Sequence, residues 1–387
     1  MKIRGYRRKD GSFGIRNHFL IIPTSICATH VAEKIAEKIP NAIALPNQHG
    51  CCQIGSDQEQ TELTLAGFGL NPNTGAVLVV GLGCDGIQAK RLANTISSSG
   101  KITDYIIIQE CGSTIESISI GVKKAERLYK SFYLQEQEIG CISDLVLGLE
   151  CGGSDSTSGL ASNPTIGYVS DKLIELGGSC ILSETTEVIG AEHLLAKRFI
   201  SIEEREKFLK FVEATEKRAF TMGEDLRTGQ PTPGNKAGGL STIEEKSLGC
   251  MYKAGTSPFV GALSYSESLS HKKHGLYFMD TPGQDINSIT GMVAGGANII
   301  IFSTGRGTPT GNPISPVIKI TGNYKTYQNM CDNIDINASA IISGKCNIKQ
   351  LGEKTFDFIL QVANGKLTKS ELLGHKEFGI QIQTPTF

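Results

Sequence analysis

Apolar positions along the chain follow two different periods. The runs "HFLIIP" (18–23), "AVLVVGLG" (76–83) and "DYIIIQE" (104–110) are almost unbroken, as in strands buried on both faces. In "ATHVAEKIAEKI" (28–39), by contrast, Val31, Ile35 and Ile39 recur every four residues and make one stripe of a helix. A helical segment, "IQAKRLANTI", follows the second run, and another, from Thr114 to Tyr133, follows the third. Doubly buried strands alternating with helices predict a parallel sheet with helices on both faces.

The alternation resumes near Cys141. "DLVLGLE" reads as a strand, "NPTIGYVSDKLIELGG" as a helix closed by glycine, "SCILSE" as a strand, and Ser201 to Met222 as a long charged helix. "HGLYFMD", "NSITGMVAGGA" and "NIIIFSTG" then give strand, helix and strand. A chain of 387 residues exceeds one ordinary core. The expected fold class is therefore α/β, in parallel-sheet units with helices on both faces. Two domains are expected, an N-terminal one over 1–140 and a C-terminal one over 141–387. The segment "TGQPTPGNKAGG" (228–239), with two prolines and four glycines, reads as a linker or a loop of the site.

Open parallel sheets bind ligands beyond the carboxyl ends of their strands. Chemistry-bearing residues fall there repeatedly: Cys84, Cys111, Cys151, Glu184, Asp280 and the Gly305-Arg306-Gly307 tripeptide. In "ECGGSDSTSG" (150–159) a thiol, paired glycines and Asp155 stand together directly after a strand.

Composition narrows the partners. A net charge of -1 gives no footprint for nucleic acid, and no apolar run approaches the roughly 20 residues of a membrane span. The basic start "MKIRGYRRKDGSFGIRN" lacks the apolar stretch of an export signal, so a cytoplasmic location is expected. Eleven cysteines, an odd count, then read as thiols, metal ligands or packed side chains rather than a disulfide framework. "GRG" at 305–307 lacks the third glycine and following helix of a dinucleotide fingerprint, which argues against NAD.

Seven ordered motifs carry a family resemblance: "HGCCQIGSD", "AVLVVGLGCDG", "ECGGSDSTSGLASNPTIG", "ILSETTEVIGAEHLL", "PGNKAGGLSTIEEKSLG", "FMDTPGQDINSITGMVAGGANIIIFSTGRG" and "DNIDINA". Together they resemble the altronate and galactarate dehydratase family, from "DGSFGIRN" to beyond Asn337. The large subunit of sulfolactate sulfo-lyase is the nearest alternative within it. The resemblance implies beta-elimination of water, or of sulfite, from a 2-hydroxy acid. It also implies a separate small SAF-domain subunit, because relatives of sugar-acid type carry such a domain ahead of this region. An oligomer is expected, and a noncatalytic binding subunit is the competing class.

Iron is the implied cofactor, in one of two forms. A four-iron four-sulfur cluster would draw on Cys51 or Cys52, with Cys84 and Cys151; Cys51, directly after the glycine, is favoured. Mononuclear Fe(II) would use Asp155, Glu184, His193 or Asp280. Against the cluster stands the packed thiol, since cysteine is among the most buried residues. For catalysis the candidates are Lys236, in its glycine-flanked loop, with His49, Glu184 and Asp155. Arg306 offers a planar fork to a carboxylate or sulfonate, and Ser154, Asn235, Thr304 and Asp280 complete the expected substrate contacts. His193 reads as a surface or supporting residue, and Glu187 as a partner of a helix dipole.

Overall fold

The computed structural model describes residues 1–229, 231–270 and 272–384. Strands β1 (Lys2–Arg7) and β2 (Phe13–Gly14) form a short antiparallel ribbon. Four strands follow: β3 (His18–Pro23), β4 (Ala42–Ala44), β5 (Thr74–Gly81) and β6 (Ile102–Ile107). They pair in parallel in the order β4-β3-β5-β6. Strand β7 (Glu138–Cys141) then returns antiparallel to β1.

The second sheet holds β8 (Val146–Gly152), β9 (Ser179–Leu182), β10 (Phe259–Leu263), β11 (Leu276–Met279), β12 (Ile299–Thr304), β13 (Val317–Thr321) and β14 (Ile336–Asn337). Its order is β10-β11-β9-β8-β12-β13-β14, with every pairing parallel. Each parallel sheet thus reverses its winding once, between β3 and β5 in the first and between β8 and β12 in the second. Such reversal points open a crevice at the carboxyl ends of the strands.

Successive strand residues point to opposite faces, which divides the core into layers. Phe19, Ile21, Leu78 and Val80 pack outward with helices 26–36 and 114–133. Leu20, Ile22, Val77 and Val79 face inward, onto helices 55–70, 89–97 and 285–294. Ile181, Met279, Ile300 and Phe302 of the second sheet meet the same helices, so the two sheets share one central helical layer. At Gly67 the chains approach so closely that a Cβ would lie 2.4 Å from the Ala294 carbonyl oxygen. The outer face of the second sheet is covered by helices 163–175, 202–221 and 348–363.

Helices 55–70 and 285–294 meet at their carboxyl ends through Gly67 and Ala294, so both begin on the same side of the molecule. The tail joins their first halves: Gly379 N donates to Thr290 Oγ1 at 3.3 Å and Gln383 N to Asp57 Oδ1 at 2.8 Å. The ligand-facing rims of the two sheets therefore share one side.

Two local expectations change. The strand expected over 104–110 stops at Ile107, and Ile108–Cys111 form a helical turn. Within 228–239 there is more helix than expected, in Leu226–Gly229 and Pro233–Ala237. Pro233 sits in the first turn, where a missing N–H costs nothing, and Thr232 caps it by accepting from Asn235 N. Gln230 of this segment lies outside the described residues. Among the described residues no helix is long and apolar enough to cross a membrane.

Candidate functional site at the reversal point of the second sheet

Strand β8 ends in Glu150, Cys151 and Gly152, beside β12 at the reversal point. Just beyond β9, Glu184 adopts φ 71°, ψ 80°, a left-handed conformation that strains a residue with a side chain. Thr281 holds it there, its Oγ1 accepting from Glu184 N at 2.8 Å. The next turn brings in Glu187. Helix 243–251 and the turn after it supply Lys246, Cys250 and Lys253. Their spacings of four and three residues place all three on one helical face.

Lys253 lies at the centre. Its Nζ donates to Cys151 Sγ at 2.7 Å and reaches Glu187 Oε2 at 3.2 Å and Glu184 Oε2 at 3.4 Å. Cys151 donates to Glu187 Oε2 at 2.7 Å, and Cys250 Sγ is 3.6 Å from Cys151 Sγ. Lys246 approaches Glu187 Oε1 at 3.5 Å. Lys253, Glu184 and Cys151 are at most 1% exposed, so no water screens these charges.

Burial and neighbouring charge divide the protons. Desolvation disfavours the Lys253 ammonium, but Cys151, Glu187 and Glu184 outweigh it and hold the group well above the ordinary lysine range. Desolvation also opposes the Glu187 carboxylate, yet Lys253 and Lys246 keep it below its usual range. Glu184 goes the other way: burial, then Glu150 and Glu187, push its carboxyl well above normal. Burial lifts Glu150 to about 8, with Asp285 adding to the rise against the pull of Lys253. The Cys151 thiol is raised by burial and by Cys250. The centre thus pairs the Lys253 ammonium with the Glu187 carboxylate, while burial shifts Glu150, Glu184 and the Cys151 thiol toward their protonated forms.

Beside it Glu150, Glu184 and Asp285 form a triad whose ligand oxygens all lie within 4.8 Å of one another. Asp285 occupies the first turn of helix 285–294, where the helix dipole favours an anion. Burial raises its carboxyl to about 6. A Cβ at Gly152 would come within 2.2 Å of Asp285 Oδ2, so only glycine admits this approach. Ser183 and Ser288 donate to Glu150 Oε2 at 3.0 and 2.7 Å, while the buried Oε1 has no partner. A second group of ligand atoms within the same limit comprises Cys151, Glu187 and Cys250. A cavity of about 490 Å³ adjoins, lined by Ser154, Asp155, Asn163, Lys246, Cys250 and Tyr252 among others.

Of the residues singled out from sequence, Cys151, Glu184 and Glu187 lie in this centre, Glu187 as the buried partner of Lys253. Ser154, Asp155, Asn235, Thr304 and Arg306 form a loop assembly next to it. Asn235 Nδ2 donates to Ser154 O at 3.0 Å, Arg306 Nη1 to Gly234 O at 3.2 Å, and Gly307 N to Thr304 Oγ1 at 2.9 Å. Asp155 accepts from Thr157 and Ser158 on one oxygen and from Asn323 on the other, which fixes the loop. Lys236 is exposed in the same assembly. Asp280 accepts from Thr185 Oγ1 at 2.5 Å, just behind Glu184. His193 is exposed. His49, Cys51 and Cys84 sit on the first sheet's loops, and neither close group of ligand atoms includes them. Glu150, Asp285, Lys246, Cys250 and Lys253 were not singled out from sequence. The available signal was the i, i+4, i+7 spacing of the last three.

Fold and site together define an α/β enzyme with a buried lysine–thiol–carboxylate centre at a sheet reversal point. Residues 142–386 match the family described as D-galactarate/Altronate dehydratase, C-terminal, and residues 5–132 match D-galactarate dehydratase/Altronate hydrolase, second domain. An altronate dehydratase of Bacillus subtilis (strain 168) is 34% identical, over 97% of this chain and 77% of its own length. The (2R)-sulfolactate sulfo-lyase subunit beta of Chromohalobacter salexigens is 37% identical, over 97% of this chain and 95% of its own. An Escherichia coli galactarate dehydratase (L-threo-forming) is also 37% identical, over 94% and 72%. Among solved structures, an E. coli ADP-heptose lps heptosyltransferase II covers 89% of this chain and 99% of its own at 9% identity, with a TM-score of 0.20, too low to bear on the fold. The chain belongs to the D-galactarate/altronate dehydratase family, and it is a lyase.

Proposed function

We propose that this lyase eliminates water from a sugar acid of altronate or galactarate type, yielding a 2-keto-3-deoxy acid, with Fe(II) as its cofactor. The observation that carries the reading is the triad Glu150–Glu184–Asp285, two carboxyls buried and the third half-buried, beside the Lys253 ammonium. Three carboxyls packed this closely resist ionisation unless a cation joins them, and Glu150 Oε1 is a buried acceptor without a donor. An all-oxygen donor set of this kind suits a hard or borderline divalent ion. These three residues would hold the iron, which when bound supplies Lewis-acid polarisation of a substrate oxygen.

The chain's own groups have separate tasks. Arg306 at the mouth of the site binds the substrate carboxylate through its planar fork. Lys236, from the neighbouring turn, takes the proton alpha to that carboxylate. Electrons from the broken C–H bond form the new double bond as hydroxide leaves the beta carbon and takes up the proton held by Lys236, departing as water, and the resulting enol tautomerises to the 2-keto acid. Lys253, locked in its charged form by Glu187 and Cys151, opposes the negative charge that builds during proton removal. Ser154, Asn235 and Thr304 keep the loops in register.

A second reading, the large subunit of a sulfolactate sulfo-lyase, is favoured by the 37% identity to a protein named as the beta subunit of that enzyme. The same relative supports a separate small subunit as partner. Turnover with altronate, galactarate and sulfolactate, following keto acid and sulfite separately, decides between the readings. Iron analysis of anaerobically purified protein tests the cofactor. Loss of iron on Glu150→Gln is expected, and iron retained at full content would contradict the assignment.

A further inference from the structure

Two thiols meet inside the buried centre, and the elimination uses only one of them. Cys151 stands near the end of β8 and Cys250 in helix 243–251, 99 residues further along the chain, with their sulfurs 3.6 Å apart. Both are free thiols and at most 3% exposed. Cys180 on β9 shows what a packed thiol looks like here: it sits in the apolar core and donates to Ser170 O at 3.9 Å. The Cys151 sulfur instead has Lys253 Nζ and Glu187 Oε2 at 2.7 Å each. An ammonium this close stabilises the thiolate once its proton moves, and the Glu187 carboxylate is placed to receive that proton.

The second thiol is within reach of small molecules. Cys250 lines the cavity of about 490 Å³, and Cys151 does not. Leu160, Leu248 and Tyr252 of the same wall are exposed, so the cavity opens to solvent. A molecule as small as hydrogen peroxide meets Cys250 first.

We propose that Cys151 and Cys250 form a redox modification site, which peroxide converts to a disulfide that switches the elimination off. The Cys250 sulfur attacks one peroxide oxygen, the O–O bond breaks, and the other oxygen leaves with the thiol proton as water, giving a sulfenic acid. The Cys151 sulfur, its proton passing to Glu187, then attacks the Cys250 sulfur; the S–O bond breaks, and hydroxide takes that proton and departs as a second water. The sulfur pair gives up two electrons and the peroxide accepts them. A dithiol reverses the change.

In the disulfide, Cys151 no longer donates to Glu187 and offers Lys253 no thiolate. The ammonium then keeps only its two carboxyl partners, Glu184 and Glu187. The loss of turnover rests on the proposed elimination, in which Lys253 opposes the developing charge; formation of the disulfide does not.

The experiment uses the full chain, reduced and desalted without oxygen, then treated with hydrogen peroxide. After the remaining thiols are alkylated, peptide mass spectrometry should find Cys151 joined to Cys250, lighter by the two hydrogens lost, and dithiothreitol should separate them. Turnover of altronate or galactarate should fall about tenfold or more with the linkage and return with the dithiol. Cys250→Ala, compared with its own reduced rate, should lose both the linkage and the sensitivity, whereas a peroxide effect on iron would strike it equally. Cys51→Ser/Cys52→Ser, which removes the other close pair of sulfurs, should keep both. Absence of the linked peptide in the native chain would overturn the site, whatever the variants do. A linked chain at full turnover, or equal loss in Cys250→Ala, would overturn the switch. A reduced chain without turnover on either sugar acid would instead overturn the elimination, and the linked peptide would still decide the pairing.

Discussion

The two sheets place their chemistry on one side of the molecule but treat it oppositely. Around the first reversal point the polar chemistry is thiol, carried on loops and mostly open to solvent. Around the second it is charge, sunk behind the strand ends at no more than 1% exposure for Lys253, Glu184 and Cys151. An exposed thiol needs no partner. A buried ammonium is stable only with its counter-charges, so each member of the second centre depends on the others. The lesson is that a rim position alone does not define a reaction centre; mutual dependence without solvent does.

The comparison breaks most visibly at Lys253. Lys253→Met leaves the Glu187 carboxylate with Lys246 as its remaining cation, and removing one partner of a buried pair costs about 3–5 kcal/mol. Chemical denaturation should register that loss, and kcat should fall by about three orders of magnitude or more in the protein that stays folded. A stable, active Met variant would reduce Lys253 to packing.

At the exposed edge of the same centre the effects divide. Lys236→Met should lower kcat by about two to four orders of magnitude, the range for a positioned acid or base. Exchange of the alpha proton with solvent should cease in that variant, and retained exchange would assign the proton to another group. Arg306→Lys keeps charge but loses the fork, so KM should rise about tenfold with kcat little changed.

The effect that leaves turnover untouched belongs to the first sheet and to stability. His18, at the start of β3, has its imidazole lowered to about 4 by burial, with Arg16 adding. The folded state therefore binds the proton more weakly than the unfolded state. This contribution to stability is full above the unfolded value near 6.5 and is lost as pH falls from there toward 4. His18→Gln should flatten that acid limb by on the order of 2 kcal/mol, with kcat unchanged.

Sequence periodicity made the alternating architecture readable because doubly buried strands leave unbroken apolar runs, as in "HFLIIP", which spans β3 from end to end. The edge strand β14, only two residues long, and the ribbon strand β1, with alternate residues exposed, leave no such run. Cys151 and Glu184 stood out because both end apolar strands. Lys253 did not, because nothing local marks a lysine whose partners lie 66, 69 and 102 residues away in the chain. Glu150 was hidden for a related reason: inside a strand its burial depends on Ser183 and Ser288, which only the folded sheet brings to it.

Glu184→Gln tests the central claim, that the buried centre at the second reversal point performs the elimination, most directly. Burial holds the Glu184 carboxyl well above the usual range, so the isosteric neutral amide should preserve the fold. Steady-state turnover of altronate and galactarate, with near-ultraviolet circular dichroism as the folding control, should show a native spectrum and kcat lower by about three orders of magnitude. A natively folded Gln variant with undiminished kcat on the better substrate would contradict the account.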